Sequence, residues 1–159
     1  MFRYLGLAAI AVSLAGAAAA FSPVDPAAFK DFSSLVSTSS TWTNQSGSTM
    51  TISIDGNDNV TGQYINRAQG TGCQNSPYPI AGRVTGNFIA FSVAWTNGTQ
   101  NCNSVTGWAG YAQASGSTIA IVTQWNLAYQ GSGAPAIEQG ADTFTYTAPT
   151  TTSEKVISK

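Results

Sequence analysis

Short stretches of alternating apolar and polar residues recur through the middle of the chain. In "TMTISI" and "FIAFSVAW" every second residue is apolar, which is the period of a β-strand with one buried face. Clusters of Gly, Asn, Asp and Pro, typical of turns, separate these stretches at short intervals. The pattern predicts strands at residues 40–45, 48–55, 59–66, 78–85, 87–96, 105–113, 117–126 and 141–147.

The fold class that this spacing favours is all-β, an eight-stranded antiparallel up-and-down β-barrel. Closing the sheet into a barrel would leave neither edge strand exposed. We expect residues 40–147 to form the barrel and residues 21–39 to form an N-terminal tether with a short helical turn. Residues 148–159 have no apolar period and would form a disordered tail.

The two ends of the predicted barrel differ in the length of their connections. The second, fourth and sixth connections are short turns that carry glycine, as in β-hairpins. The third, fifth and seventh connections are long, and long connections in a compact domain usually carry function. The polar turn "QSGS" falls at the same end as these three. We therefore expect one closed end and one open mouth.

Because side chains alternate between the two faces of a strand, we can predict which polar and aromatic residues point into the barrel at this mouth. Along each predicted strand the inward face is aliphatic far from the long connections and polar or aromatic near them. The residues that this argument turns inward at the mouth are Asn44, Ser48, Tyr64, Asn66, Trp95, Thr106, Trp108, Trp125 and Asp142. They would suit a small, flat, neutral heterocycle with one carbonyl and adjacent N–H groups. Trp42, one step deeper, is predicted to belong to the core.

Composition removes several classes of function. Only 8% of the residues are charged, the formal net charge is −1 and the chain has no histidine. Histidine-based catalysis and histidine metal ligands are therefore excluded, and we predict no metal site. The lack of a basic patch argues against nucleic acid as a partner.

An enzyme is the rival class of function that we considered. A glycosidase would need two carboxylates at a controlled separation. Only Glu138 could partner Asp142, and it falls on a predicted loop only four residues away. We therefore predict that the protein is not an enzyme, and we keep a lectin-like or protease-inhibiting β-barrel as the alternative function.

The first twenty residues have the features of a cleaved signal peptide. Arg3 lies near the start, an apolar stretch follows, and small residues precede Phe21. We expect the mature protein to be secreted or periplasmic, with no membrane association once residues 1–20 are removed. In an exported chain the two cysteines, Cys73 and Cys102, predict one disulfide, and a pair of free thiols is the alternative.

Several short motifs, in order, now suggest a family. They are "WTNQSGSTM", "TGQY", "FSVAWTN", "SVTGWAGY", "TQWNL" and "DTF", and they span roughly residues 40–147. This stretch resembles the avidin and streptavidin family of biotin-binding proteins. The resemblance implies high-affinity, non-catalytic binding and sequestration of free biotin, which would be a ligand and not a cofactor.

The resemblance also implies a role for each polar residue around the ureido group of biotin. Asn44, Ser48 and Tyr64 would donate hydrogen bonds to the ureido oxygen. Asp142 would accept from one ureido N–H. Asn66, at a position where many family members carry serine, would accept from the other.

The rest of the ligand would meet the remaining residues. By the same resemblance, Thr106 would approach the thioether sulfur and Ser104 the carboxylate of the valeryl chain. Trp95, Trp108 and Trp125 would line the bicyclic ring and the chain. As rigid aromatic side chains they lose little entropy when a ligand is bound.

Two features distinguish the chain from the tetrameric members of the family. The segment "QGSGAPAIEQGA", before the last strand, has no tryptophan that could cap a neighbouring subunit's pocket. Cys73 and Cys102 fall in the third and fifth predicted connections. Both features resemble the rhizavidin-like dimeric avidins, so we expect a homodimer through the outer face of the barrel, with Ala120, Val122 and Tyr111 as contributors.

Overall fold

The computed structural model describes residues 29–35, 39–115 and 117–147. The predicted signal peptide at 1–20 and the predicted tail at 148–159 lie outside the described residues. Among the helices of the described chain, none has the length and apolar character needed to cross a membrane.

Eight antiparallel strands form a closed barrel in which each strand pairs with the next along the chain and the last pairs with the first. The strands are β1 (Ser39–Asn44), β2 (Thr49–Ile54), β3 (Asn59–Ile65), β4 (Pro77–Thr85), β5 (Phe88–Thr96), β6 (Asn101–Ser115), β7 (Thr118–Gln130) and β8 (Pro135–Thr147). The predicted fold class is confirmed.

The last three strands are longer than the sequence pattern predicted. β7 and β8 stay paired as far as Gln130 and Pro135, so the seventh connection is only residues 131–134. The fifth connection shrinks to residues 97–100, because β6 already begins at Asn101. The prediction of long fifth and seventh connections is therefore wrong, and among the three only the third, residues 66–76, is long.

The longer strands place several residues in strands that the sequence pattern assigned to connections or strand ends. Cys102 lies in β6 and not in a connection, and Glu138 lies in β8 and not on a loop. Asp142 lies well inside β8. Backbone pairing explains these differences, since a ladder can continue through Gly, Ala and Pro residues that give no clear alternation.

Inward-facing side chains fill the barrel below the mouth. The strict alternation of buried and exposed residues along β5 shows the two faces of the sheet directly. Trp42 is fully buried, as predicted for a core residue, and Met50, Ile52 and Phe144 are fully buried around it. The core therefore lies inside the barrel rather than between two sheets.

The closed end is plugged by the segment that precedes the barrel. A 3₁₀ helix at Phe32–Leu35 lies in the region predicted to form a short helical turn, and both of its end residues are fully buried. The amide of Phe32 donates a hydrogen bond to the carbonyl of Gly86, in the turn between β4 and β5. Burying one such apolar side chain contributes about 1.5–3 kcal/mol. This segment is thus part of the core and not only a tether.

Candidate functional site

A cavity of about 280 Å³ opens at the mouth of the barrel. All ten residues predicted for the site line it: Asn44, Ser48, Tyr64, Asn66, Trp95, Ser104, Thr106, Trp108, Trp125 and Asp142. Its volume is close to the lower limit, roughly 300 Å³, of cavities that hold small molecules. The fold thus brings the ten residues together around one cavity that has the size for one small ligand.

The carboxylate of Asp142 lies at the centre of the polar side of the cavity. Its side chain is only 8% exposed. Oδ1 accepts a hydrogen bond from Nδ2 of Asn44 at 2.9 Å, and Oδ2 accepts one from Nε1 of Trp108 at 2.9 Å. Nε2 of Gln45 donates a third, to Oδ1, at 2.8 Å. An ionised carboxylate offers about four acceptor positions, so these three donors leave one for a ligand.

Asn44 is held in one orientation by the turn that follows it. Its Oδ1 accepts from the backbone amides of Ser46 at 3.0 Å and Ser48 at 2.9 Å. These bonds fix the oxygen on the turn, so only Nδ2 remains to donate elsewhere. That group lies 2.9 Å from Asp142 and 3.4 Å from the hydroxyl oxygen of Tyr64. The polar turn of this segment therefore positions a donor at the cavity.

Tyr64 is a neutral donor at physiological pH. Burial raises the pKa of its hydroxyl well above the usual range, and the negative charge of Asp142 raises that pKa further. The hydrogen bond with Ser48 acts in the opposite direction but is the smallest of the three causes. The ring also stacks on Trp108, with centroids 5.2 Å apart. Tyr64 is thus fixed in position with its proton retained.

Asn66 links the cavity to the third connection. Its Nδ2 donates to Oγ1 of Thr71 at 2.8 Å and to the carbonyl of Gly72 at 3.0 Å. Its Oδ1 accepts from the amide of Ala68 at 3.0 Å and lies 3.5 Å from the hydroxyl of Ser48. With Nδ2 used by the connection, Oδ1 is the atom of this amide that can accept from a ligand.

Aromatic rings form the other side of the cavity. Trp108 lies between Tyr64 and Phe91, and its ring is nearly parallel to that of Phe91 at a centroid distance of 4.9 Å. Trp95 meets Tyr64 edge-on at 5.6 Å. Trp125 is only half-buried and lies nearer the opening. Two indoles are therefore locked by their neighbours, and the third borders the entrance.

Two hydroxyl groups on β6 complete the lining. Oγ1 of Thr106 accepts a hydrogen bond from Nε1 of Trp95 at 2.8 Å, which leaves its own proton free to donate. Ser104 is half-buried, and among the described residues its hydroxyl has no hydrogen-bond partner. Both groups are thus available to polar atoms of a ligand.

A disulfide joins the third connection to β6 at the edge of the cavity. Cys73 and Cys102 are bonded, with Cα atoms 6.1 Å apart, so the predicted pairing is confirmed and the alternative of free thiols is wrong. Both residues line the cavity. The third connection is therefore held at one point by the disulfide and at another by the amide of Asn66.

Comparison with known proteins agrees with this geometry. The model of the Avidin family matches residues 33–147. Afifavidin from Afifella pfennigii is 50% identical over 144 residues, which are 87% of this chain and 91% of that protein. The chain belongs to the Avidin family.

Solved structures of Avidin family members extend the comparison. Rhizavidin matches with a TM-score of 0.79 and 64% identity, covering 85% of this chain and 100% of that one. The rhizavidin–biotin complex matches with a TM-score of 0.72 and 68% identity over 74% of this chain and 98% of that one. The resemblance inferred from the motifs is confirmed.

Gln45 is a site residue that the sequence did not reveal. It follows the last residue of β1, and its Nε2 donates to the carbonyl of Ala141 at 3.1 Å as well as to Asp142. Its Oε1 accepts from the amide of Thr143 at 3.0 Å. The side-chain amide thus continues the β1–β8 ladder where the backbone of β1 turns away. Strand parity predicts only that this side chain points outward, so no sequence pattern indicates its bond to Asp142.

We expect the disulfide to stabilise the fold. The bonded cysteines are separated by 29 positions, and the chain-entropy treatment then gives about 3–4 kcal/mol. Urea unfolding of the oxidised protein and of the double variant Cys73→Ser/Cys102→Ser should differ by that amount. Reductant should lower the unfolding midpoint of the native protein and leave that of the double variant unchanged. Equal midpoints for the oxidised protein and the double variant would contradict this assignment.

Proposed function

We propose that this Avidin family protein binds free biotin in the mouth of the barrel and sequesters it without catalysis. The observation that carries the proposal is the pairing, in one small buried cavity, of the Asp142 carboxylate with the neutral hydroxyl of Tyr64. A cyclic urea presents N–H donors beside a carbonyl acceptor, and this arrangement complements it. Rhizavidin and short afifavidin, at 68% and 58% identity, have both been solved in complex with biotin.

The ureido group of biotin would occupy the polar side of the cavity. Nδ2 of Asn44 and the hydroxyls of Ser48 and Tyr64 donate to the ureido oxygen. The open acceptor position of Asp142 takes one ureido N–H, and Oδ1 of Asn66 takes the other. Because these groups are already held by their neighbours, they need little reorganisation when the ligand enters. A ligand without the N–H groups would leave a buried carboxylate incompletely paired, which is costly.

The ring and the acyl chain of biotin would lie toward the opening. The free proton of Thr106 approaches the sulfur, and the unpaired hydroxyl of Ser104 meets the terminal carboxylate. Trp95, Trp108 and Trp125 cover the apolar faces of the bicyclic ring and the chain. Every group of the ligand then meets a side chain of matching polarity.

Non-catalytic ligand binding is the role consistent with membership of the Avidin family. In this role biotin is a ligand and not a cofactor. Glu138, which could have partnered Asp142 in a glycosidase, instead accepts a hydrogen bond from the hydroxyl of Tyr129 at 2.7 Å on the exposed surface. Nothing in the comparisons favours the lectin-like or protease-inhibiting alternative.

We further infer that the protein works outside the cytoplasm, secreted or in the periplasm. The Cys73–Cys102 disulfide supports this, because disulfides persist in oxidising compartments. The predicted signal peptide at residues 1–20 also supports export from the cytoplasm.

Calorimetric titration with biotin tests the proposed function. The native protein should bind one biotin per chain, and simple sugars should give no heat. Asp142→Ala should weaken binding by about 2–4 kcal/mol, because a ureido N–H loses a charged acceptor in a dry cavity. Asp55→Ala, which removes an exposed carboxylate at the closed end, is the matched control and should bind as the native protein does. The proposal fails if the native protein does not bind biotin, and the role of Asp142 fails if its variant binds within threefold.

We propose in addition that two copies associate through the outer face of β5–β8. Four large apolar side chains are exposed there: Phe88 at 61%, Val105 at 47%, Tyr111 at 41% and Ile137 at 72%. Exposed apolar surface of this kind is typical of protein interfaces. Strand register places Val122 beside Tyr111 on the same face. Ala120 is only 5% exposed, so it would contribute little area to such an interface.

Each subunit of such a dimer would hold biotin without a neighbour's side chain. The seventh connection, residues 131–134, carries no tryptophan, and Trp125 belongs to the wall of its own cavity. Sedimentation of the biotin complex should give a dimer. Tyr111→Glu should separate the subunits while each keeps its biotin, and Thr61→Glu, on the exposed face of β3, should have no effect. A stable tetramer, or loss of biotin in step with subunit separation, would contradict the proposal.

A further inference from the structure

The indole of Trp125 lies directly over a glycine of the neighbouring strand. Trp125 on β7 is paired in register with Gly140 on β8. A Cβ atom added to Gly140 would lie 2.4 Å from Cζ2, 2.7 Å from Cε2 and 3.0 Å from Cη2 of that indole. Such distances are well below van der Waals contact, so any side chain at position 140 would displace the ring.

A second tryptophan borders Trp125 on the opposite side from Gly140. On its other side Trp125 is paired with Trp108 on β6, which is 5% exposed. Trp108 is fixed by its hydrogen bond to Asp142 and by stacking on Phe91. Trp125 therefore has the bulky Trp108 on one side and, on the other, the open space above Gly140, which has no side chain.

This contact lies beyond the polar group that would hold a cyclic urea. Asp142 is paired in register with Thr123, and Trp125 and Gly140 follow two positions nearer the mouth. Two residues of a strand span roughly 6.8 Å, so Trp125 borders the part of a ligand that extends past the ureido group.

We propose that Gly140 is a positioning residue that sets the width of the cavity through Trp125. With glycine the indole lies back against β8, and the mouth accepts the ring and chain of a bicyclic ligand. With any larger residue the indole would move into a cavity of only about 280 Å³. This inference rests on the proposed function, because it concerns how the same site selects its ligand.

Two glycines of β6 provide matched controls. A Cβ on Gly107 would have no atom within 4 Å, so Gly107→Ala tests the general effect of alanine in a strand here. A Cβ on Gly110 would lie 2.0 Å from the backbone oxygen of Val122. Gly110→Ala therefore tests a clash that affects the backbone of the barrel and not the indole.

The experiment compares two ligands, biotin and ethyleneurea, which is the cyclic urea without the second ring or the chain. Gly140→Ala should weaken biotin binding at least tenfold, which is about 1.4 kcal/mol, and should change ethyleneurea binding less than threefold. Gly107→Ala should leave both unchanged. Gly110→Ala should lower the melting temperature without altering the ratio of the two affinities. A merely structural effect at Gly140 would weaken both ligands equally, and that result would overturn the proposal.

Repeating the substitution in a variant that lacks the indole distinguishes an effect through Trp125 from any other effect of Gly140→Ala. When Trp125→Ala is already present, adding Gly140→Ala should fold normally and change biotin binding less than threefold. A tenfold loss in this background, or failure of the double variant to fold, would show that Gly140 acts by another route and would overturn the inference. Native protein that does not bind biotin would overturn the proposed function, whereas equal biotin binding by the native protein and Gly140→Ala would overturn only this inference.

Discussion

The hydrogen bonding of the Asp142 carboxylate is the interaction on which the whole mouth of the barrel depends. A buried charge is costly unless it is well paired, and no Lys or Arg of the described chain forms a salt bridge with this one. Three neutral N–H donors take the place of a cation, from Asn44, Gln45 and Trp108. Asn44 and Gln45 are adjacent at the end of β1, and Trp108 lies on β6. The need to satisfy one carboxylate therefore fixes the end of β1, the turn after it and the inner face of β6 relative to β8.

The same interaction prepares the cavity for a ligand. Asn44 is oriented because its oxygen caps the turn, and Trp108 is oriented because its N–H is bonded and its ring is stacked. The third connection is held separately by Asn66 and the disulfide. Side chains that are ordered before binding do not have to lose that freedom when the ligand arrives. The geometry of the cavity is thus set by the folded chain itself.

The sequence predicted the barrel and the residues that meet in its cavity, because both follow from a period of two. Once the strands are recognised, parity decides which side chains point inward, and misplaced strand ends do not alter it. This is why Tyr64, Trp108 and Asp142 were placed together although they lie far apart in the chain.

Features that depend on pairing across strands were not predictable in this way. The continuation of β7 and β8 to Gln130 and Pro135 rests on backbone hydrogen bonds between segments rich in Gly and Ala, which have no clear alternation. The contacts of Gln45 arise because its outward side chain reaches the backbone carbonyl of Ala141 and the backbone amide of Thr143 on β8. Gly140 falls in the predicted connection before the last strand, so nothing in the sequence places it opposite the indole of Trp125.

We conclude that the cavity has its binding geometry before the ligand enters, and crystal structures of the protein with and without biotin would test this conclusion. The backbone of residues 44–48 and 66–76 should move by less than about 1 Å between the two structures, as in other preorganised complexes. The bonds from Asn44 and Trp108 to Asp142 should be present in both. A third connection displaced by more than about 2 Å in the free protein, or an Asp142 carboxylate without those bonds, would contradict it.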